Sequence, residues 1–215
     1  MAVRTPDPDP NERDDDPARD PLRGFGGPGY RNESFGSAPP GNTANPGWLS
    51  EVELAEVRRR LPILYVEAVP VRTDGMGAVT QVGILLRANP VGEITRTIVS
   101  GRVRYGETVR DALYRNLEND LGPMAFPLLP PQPVPFTVAE YFPIPGVSAY
   151  FDDRQHAVSL AFVVPVTGTC EPRQDALEVT WMSPEEAASD ALAAEMEGGR
   201  LTLLRLALAS VGALR

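Results

Sequence analysis

Lysine is absent from this 215-residue chain, and all 20 basic residues are arginine. No Schiff base or catalytic lysine is therefore available. The bias reads as the codon usage of a GC-rich genome. Cys170 is the only cysteine, so no internal disulfide can form and nothing points to an oxidising compartment. His156 is the only histidine. These two are the one thiol–imidazole combination on offer, and a buried, inert thiol is the simpler reading of Cys170. No apolar run approaches the roughly 20 residues that span a bilayer. The N-terminus has no basic segment leading into an apolar stretch of signal-peptide type. The cytoplasm is the expected compartment, with no membrane partner. A net charge of −9 argues against a nucleic-acid polymer as partner, because like charges repel. A small phosphate-containing ligand bridged by cations stays open, as does a homodimer.

Proline is plentiful, at 23 residues, and clusters. Residues 1–46 combine it with Asp14-Asp15-Asp16, Gly24-Phe25-Gly26-Gly27 and almost no aliphatic side chains. Such a segment cannot bury enough apolar area to offset its ordering entropy, so a disordered tail is expected. Residues 47–215 are expected to form one domain, with order beginning near Trp48. Ser50 and Glu53 make a capping box, with Leu49 and Leu54 as a hydrophobic staple. Val52, Val57 and Leu61 then suggest a short amphipathic helix. Strand-like runs follow at Ile63 to Arg72, Val79 to Ala88 and Ile94 to Val99, the first two joined by the turn Thr73-Asp74-Gly75. A helix from Thr108 to about Leu121 runs into a proline-studded loop, 123–135, unsuited to a helix or a central strand. Strands resume at Phe136 to Phe142, Ala157 to Val166 and Ala176 to Met182. Ser183-Pro184 opens a capped helix, and Leu201 to Leu214 reads as a last amphipathic one. That order predicts an α/β domain with a mixed sheet between helices.

Between the third strand and the first long helix lies Ser100-Gly101-Arg102-Val103-Arg104-Tyr105-Gly106-Glu107-Thr108. Glycines permit positive φ and close backbone approach, and the first turn of a helix presents unpaired N–H groups that suit an anion. Arg102, Arg104 and Arg110 surround this bend as candidate phosphate clamps, or as solvent-facing side chains. Tyr105 offers a ring for stacking or half-buried packing.

The stretch resembles the Nudix box: a Gly, a Glu six positions later, then Arg-Glu-aliphatic-x-Glu-Glu-x-Gly. Gly101, Glu107, Arg115, Leu117 and Gly122 fall on that pattern, and Gly106 and Thr108 are common family choices. The resemblance spans roughly residues 60–215 and implies the Nudix fold. It further implies hydrolysis of a nucleoside diphosphate linked to a second moiety, with Mg2+ or Mn2+ held against the phosphates. Carried over by position, Gly101, Arg102 and Gly106 would cradle the ligand, and Glu107, Arg115 and Asp120 would serve catalysis.

The box also departs from the family. Its three helix glutamates are replaced here by Asn116, Asn119 and Asp120. At 100° per residue these share one face, within about 100° of one another, beside the apolar side of Val109, Leu113 and Leu117. Glu118 points about 160° away from Asp120 and cannot take over. Metal would rest on Glu107 and Asp120, with Asn116 and Asn119 offering carbonyl oxygens, so a single, weakly held ion is expected. A lost unit charge near the ion is worth up to ~4 kcal/mol at an effective dielectric of 20. Asp152 and Asp153 are the candidates outside the box for a general base, against a solvated turn as the plain alternative. Three readings follow. One is a weak Nudix-like phosphoanhydride hydrolase; another is an inactive nucleotide-binding or protein-interaction module; the last is a purely structural domain. The arginine-only composition fits an actinobacterial-looking branch of the superfamily.

Overall fold

In the computed structural model the described residues are 49–88, 92–172, 176–196 and 198–214. The tail expected over 1–46, and Trp48, lie outside them. Ser50 caps α1 (Glu51–Arg60) and exchanges reciprocal hydrogen bonds with Glu53, as the capping box requires. The amphipathic reading of this helix does not hold, for α1 buries no residue and Val52 is 80% exposed. A side-chain hydrogen bond ties it to the domain, with Arg58 Nε donating to Gln155 Oε1 at 2.7 Å.

The next two strands, β1 (Ile63–Thr73) and β2 (Val79–Ala88), are joined by a turn in which Asp74 Oδ1 accepts from the amides of Met76 and Ala78. The third expected strand is two. β3 (Ile94–Thr97) pairs with β2, and β4 (Val99–Arg102) pairs with β1, the break falling at buried Ile98. After α2 (Val109–Leu121) the chain forms β5 (Ala125–Pro127), β6 (Thr137–Phe142), β7 (Tyr150–Phe151), β8 (Ala157–Gly168) and β9 (Ala176–Met182). It ends in α3 (Pro184–Ala187), α4 (Asp190–Ala193) and α5 (Arg200–Ser210). The proline-rich loop does hold a strand, but an edge one: β5 pairs only with the end of β8, where a missing N–H is tolerated.

The mixed sheet runs β3-β2-β1-β8-β6-β7, with β1 and β8 parallel at its centre. β1 changes partners along one edge. Tyr65–Ala68 pair with β4, and Val71–Thr73 pair with β2. Pro70, which has no N–H to donate, sits between the two segments. The sheet therefore forks there.

Alternation along β1 divides the core. Val66 and Ala68 pack toward α2 with Leu113, Leu117, Leu121 and Phe162. Val69 and Val71 pack toward α5 with Leu203, Leu204 and Leu208. Each such fully buried side chain is worth about 1.5–3 kcal/mol. Tyr65 and Glu67 share the α5-side register, and Tyr65 packs against the edge of this layer. They line a cleft. No helix of the described residues is long and apolar enough to cross a membrane.

Candidate functional site

The bend before α2 is built by Glu107. Its carboxylate accepts from the Arg104 amide at 2.9 Å and from Arg115 Nε and Nη2 at 2.7 and 2.8 Å. Arg115 also donates to the Arg102 carbonyl at 2.8 Å and to Asn116 Oδ1 at 3.1 Å. The Arg115 guanidinium, with help from the Arg104 amide, holds the Glu107 carboxyl below its ordinary range. Arg115 thus spans from the helix to both ends of the loop. Gly106 has φ 76° in the turn, which glycine adopts at no steric cost.

Gly101 does something other than what its place in the box suggests. It lies in strand β4, not in a loop, and its φ is not in the positive region. A Cβ there would fall inside the Asn116 side chain. Asn116 is 7% exposed and donates from Nδ2 to the Ala112 carbonyl at 2.8 Å. The close approach that needs glycine is therefore that of α2 to β4, and Gly101 is a packing requirement before it is anything else.

Asn116, Asn119 and Asp120 do share a face, and that face lines a cleft of about 1390 Å³. Glu118 points outward and is exposed. The sequence alone gave no sign that Asp120, 6% exposed, meets Arg87 from β2, Nη2 to Oδ1 at 2.6 Å. As placed, these groups do not fit a shared divalent cation. Glu107 is held by three N–H donors, the Asn116 carbonyl accepts from Arg115, and Asp120 faces Arg87. Among the described residues no three Asp, Glu, His or Cys side chains group as cation ligands.

Arginine dominates the cleft. Arg87, Arg96, Arg102, Arg104, Arg115, Arg154 and Arg200 line it, against the carboxylates Glu67, Asp120, Asp152 and Asp153. In a chain of charge −9 this local excess of cations is the reverse of the global balance. Burial depresses the Arg102 and Arg104 pKa values, and the nearby charge of Arg115 adds to the effect in both. A crowd of partly desolvated cations favours an anion.

Other expected residues are placed elsewhere. Arg110 is not a cleft residue; it donates to the Pro130 carbonyl at 3.0 Å and lies over the Tyr114 ring, fastening the proline loop to α2. Tyr105 is 79% exposed, so it is not a half-buried packing residue. Asp152 lines the cleft, but Arg154 grips it with two hydrogen bonds at 2.8 and 2.9 Å and Gln155 adds one at 3.0 Å. Burial would raise its pKa, and these partners outweigh that and hold it low, which ill suits a base working near neutral pH. His156 stacks on Phe142 with ring centroids 4.4 Å apart and is structural.

Sequence reasoning missed Glu67. It is 2% exposed in the middle of β1, accepts from Tyr141 Oη at 3.0 Å through both oxygens, and faces Arg200 Nε at 3.5 Å. Burial pushes its carboxyl up, against the pull of Arg200 and the Ser159 and Tyr141 hydroxyls. The signal was a single charge inside the apolar run Ile63–Val71.

Residues 44–213 match the family described as a domain of unknown function, DUF4916. The chain belongs to that family. No curated protein matches it. Among solved structures it is 58% identical, with TM-score 0.70, to a protein from Jonesia denitrificans described as a possible asymmetric diadenosine tetraphosphate hydrolase. That match covers 73% of this chain and 98% of the other. The NUDIX domain of Shewanella oneidensis NrtR, solved with ADP-ribose, is 16% identical at TM-score 0.50, covering 74% of this chain and 97% of that one. A NUDIX hydrolase from Nitrosomonas europaea is 15% identical at the same TM-score, over 71% of this chain and 90% of that one. The DUF4916 chain therefore has the Nudix fold, as the box resemblance implied.

Proposed function

We propose that this DUF4916 chain is a Nudix-fold binding module whose arginine-lined cleft takes the phosphates of a small nucleotide-type ligand without needing a divalent cation to bridge them. The observation that carries this reading is the commitment of the box carboxylates to arginine: Glu107 to Arg115 and Asp120 to Arg87. In a metal-dependent site those oxygens would face a cation. Here they face guanidinium groups, and arginine recognises phosphate directly with its planar fork of donors. Arg102 and Arg104 are the phosphate ligands in this proposal. Arg115 holds the bend that presents them, Gly106 shapes it, and Gly101 lets α2 close against β4.

A second reading, hydrolysis of a dinucleoside polyphosphate, is supported by the likeness to the Jonesia denitrificans protein. It requires Asp120 and Glu107 to leave their arginines for a magnesium or manganese ion, with Asn116 and Asn119 contributing little charge.

Titration calorimetry of the full chain with diadenosine tetraphosphate and with ADP-ribose, in EDTA and then in magnesium, separates the two. Binding that persists in EDTA, with no phosphoanhydride cleavage in magnesium or manganese, is the expected result. Metal-dependent turnover that disappears in Glu107→Gln would replace the binding reading with the hydrolytic one. An Asn116→Glu/Asn119→Glu variant that gains turnover would show what the two amides removed.

A further inference from the structure

The floor of the cleft has a chemistry of its own. Glu67 and Tyr65 project on one face of β1, and their partners across the antiparallel pairing are Ser100 and Arg102 of β4. Cross-strand partners share a face, so Arg102 and Glu67 look into the same space, one diagonal step apart. Such diagonal neighbours lie about 7–8 Å from each other. A pentose spans a distance of that order between its phosphate ester and its free hydroxyls.

We infer that the buried carboxylate of Glu67, oriented by Tyr141, forms a second subsite that accepts hydrogen bonds from the vicinal hydroxyls of a ribose whose phosphates lie on Arg102 and Arg104. This rests on the phosphate-binding reading above and narrows its ligand to a ribonucleotide. The subsite is built from nearly buried groups: Glu67 is 2% exposed and Tyr141 3%. An ionised carboxylate has about four acceptor positions. The Tyr141 hydroxyl brings one proton, shared between both oxygens at 3.0 Å. Arg200 stands off at 3.5 Å and lies over the Tyr141 ring. Acceptor capacity is left on the cleft side, where Glu67 is part of the lining. The donor that fits is neutral, because a cation entering there would meet the seven arginines that line the cleft. A paired diol supplies two neutral donors to one carboxylate, as ribose hydroxyls do wherever an acidic side chain reads them.

The test is calorimetry on the full chain with three probes: inorganic pyrophosphate, ADP and 2′,3′-dideoxy-ADP. The wild type is expected to bind ADP on the order of tenfold or more tightly than the dideoxy compound, because a site built around a hydroxyl discriminates against its loss. In Glu67→Gln and in Tyr141→Phe that discrimination shrinks to near unity, and the ADP-to-pyrophosphate affinity ratio falls by a similar factor. Equal wild-type affinity for ADP and dideoxy-ADP overturns the inference even if pyrophosphate binds. So does a Glu67→Gln variant that weakens all three probes in proportion, since a purely structural ion pair would act that way. Failure of every probe, pyrophosphate included, removes the phosphate-binding reading together with the subsite. The wild-type comparison of the two nucleotides decides the matter should a variant fail to fold.

Discussion

In the bend before α2, Glu107 is gripped by three N–H donors and its carboxyl is held below the ordinary range. At the floor of the cleft, Glu67 is more deeply buried, receives the Tyr141 hydroxyl and faces a more distant arginine, and is pushed upward. The side chains are the same, and what differs is the depth of burial and the strength of the donors each one meets. Charge-assisted bonds to a guanidinium fork stabilise the ionised form, while deep burial penalises it by more than a hydroxyl donor restores. The first arrangement fixes a backbone bend and fills three of the carboxylate's acceptor positions, out of about four. The second leaves acceptor capacity facing open space. This is why the box glutamate is read as architecture and the floor glutamate as recognition.

The largest expected effect comes from breaking the tighter end. Arg115→Ala removes both bonds to Glu107 and the bond to the Arg102 carbonyl, leaving a part-buried carboxylate without its cation. A loss of about 3 kcal/mol in urea unfolding is expected. Arg115→Lys should recover less than half of it, because a point charge cannot reproduce the fork. Full recovery by lysine would mean that charge alone matters there. Next is Gly101→Ala, which drives a methyl group into Asn116 and should cost about 2 kcal/mol. Adding Asn116→Ala makes room, so a double-mutant cycle should return at least about 1 kcal/mol of coupling. Strict additivity would contradict the view of Gly101 as a packing residue. Smaller again is Arg102→Ala, expected to lower pyrophosphate affinity about tenfold by removing one guanidinium from the phosphate end. Unchanged affinity would move the anion site away from β4.

How far this arrangement could be read beforehand depended on whether the controlling interaction was local. The common face of Asn116, Asn119 and Asp120 followed from helical period alone, and so did the outward turn of Glu118. The capping boxes at Ser50 and Ser183 likewise involve residues three apart. The partners of Asp120 and Glu67 are of another kind. Arg87 lies 33 positions from Asp120, and Tyr141 lies 74 from Glu67. No periodicity encodes such pairs. They exist because β1 forks beside Pro70 and because parallel pairing brings β8 against β1. The amphipathic pattern of α1 misled for a related reason: a correct period says nothing about whether any surface is there to be covered, and none covers Val52. Gly101 misled differently, since glycine marks a close approach without saying what approaches.

The two glutamates should also respond to pH in opposite senses, a smaller but sharper test of the contrast. For Glu107 the folded pKa lies below its ordinary value of 4.5. The stability it contributes is present above pH 4.5 and is lost as pH falls through the folded value, when protonation releases Arg115. For Glu67 the folded pKa lies above 4.5. Between pH 4.5 and the folded value the native state holds a proton that the unfolded chain has released, and stability declines as pH rises through that window, above which Glu67 is ionised. Facing Glu67 are Arg200, Tyr141, Ser159 and, more remotely, Asp152, whose charge reinforces the upward shift. Urea midpoints taken at intervals from pH 3 to pH 8 should then show Glu107→Gln flattening only the limb below about 4.5 and Glu67→Gln only the limb above it. If both variants flattened the same limb, the two carboxylates would share one environment, and the division of the cleft into a structural end and a recognising floor would fail.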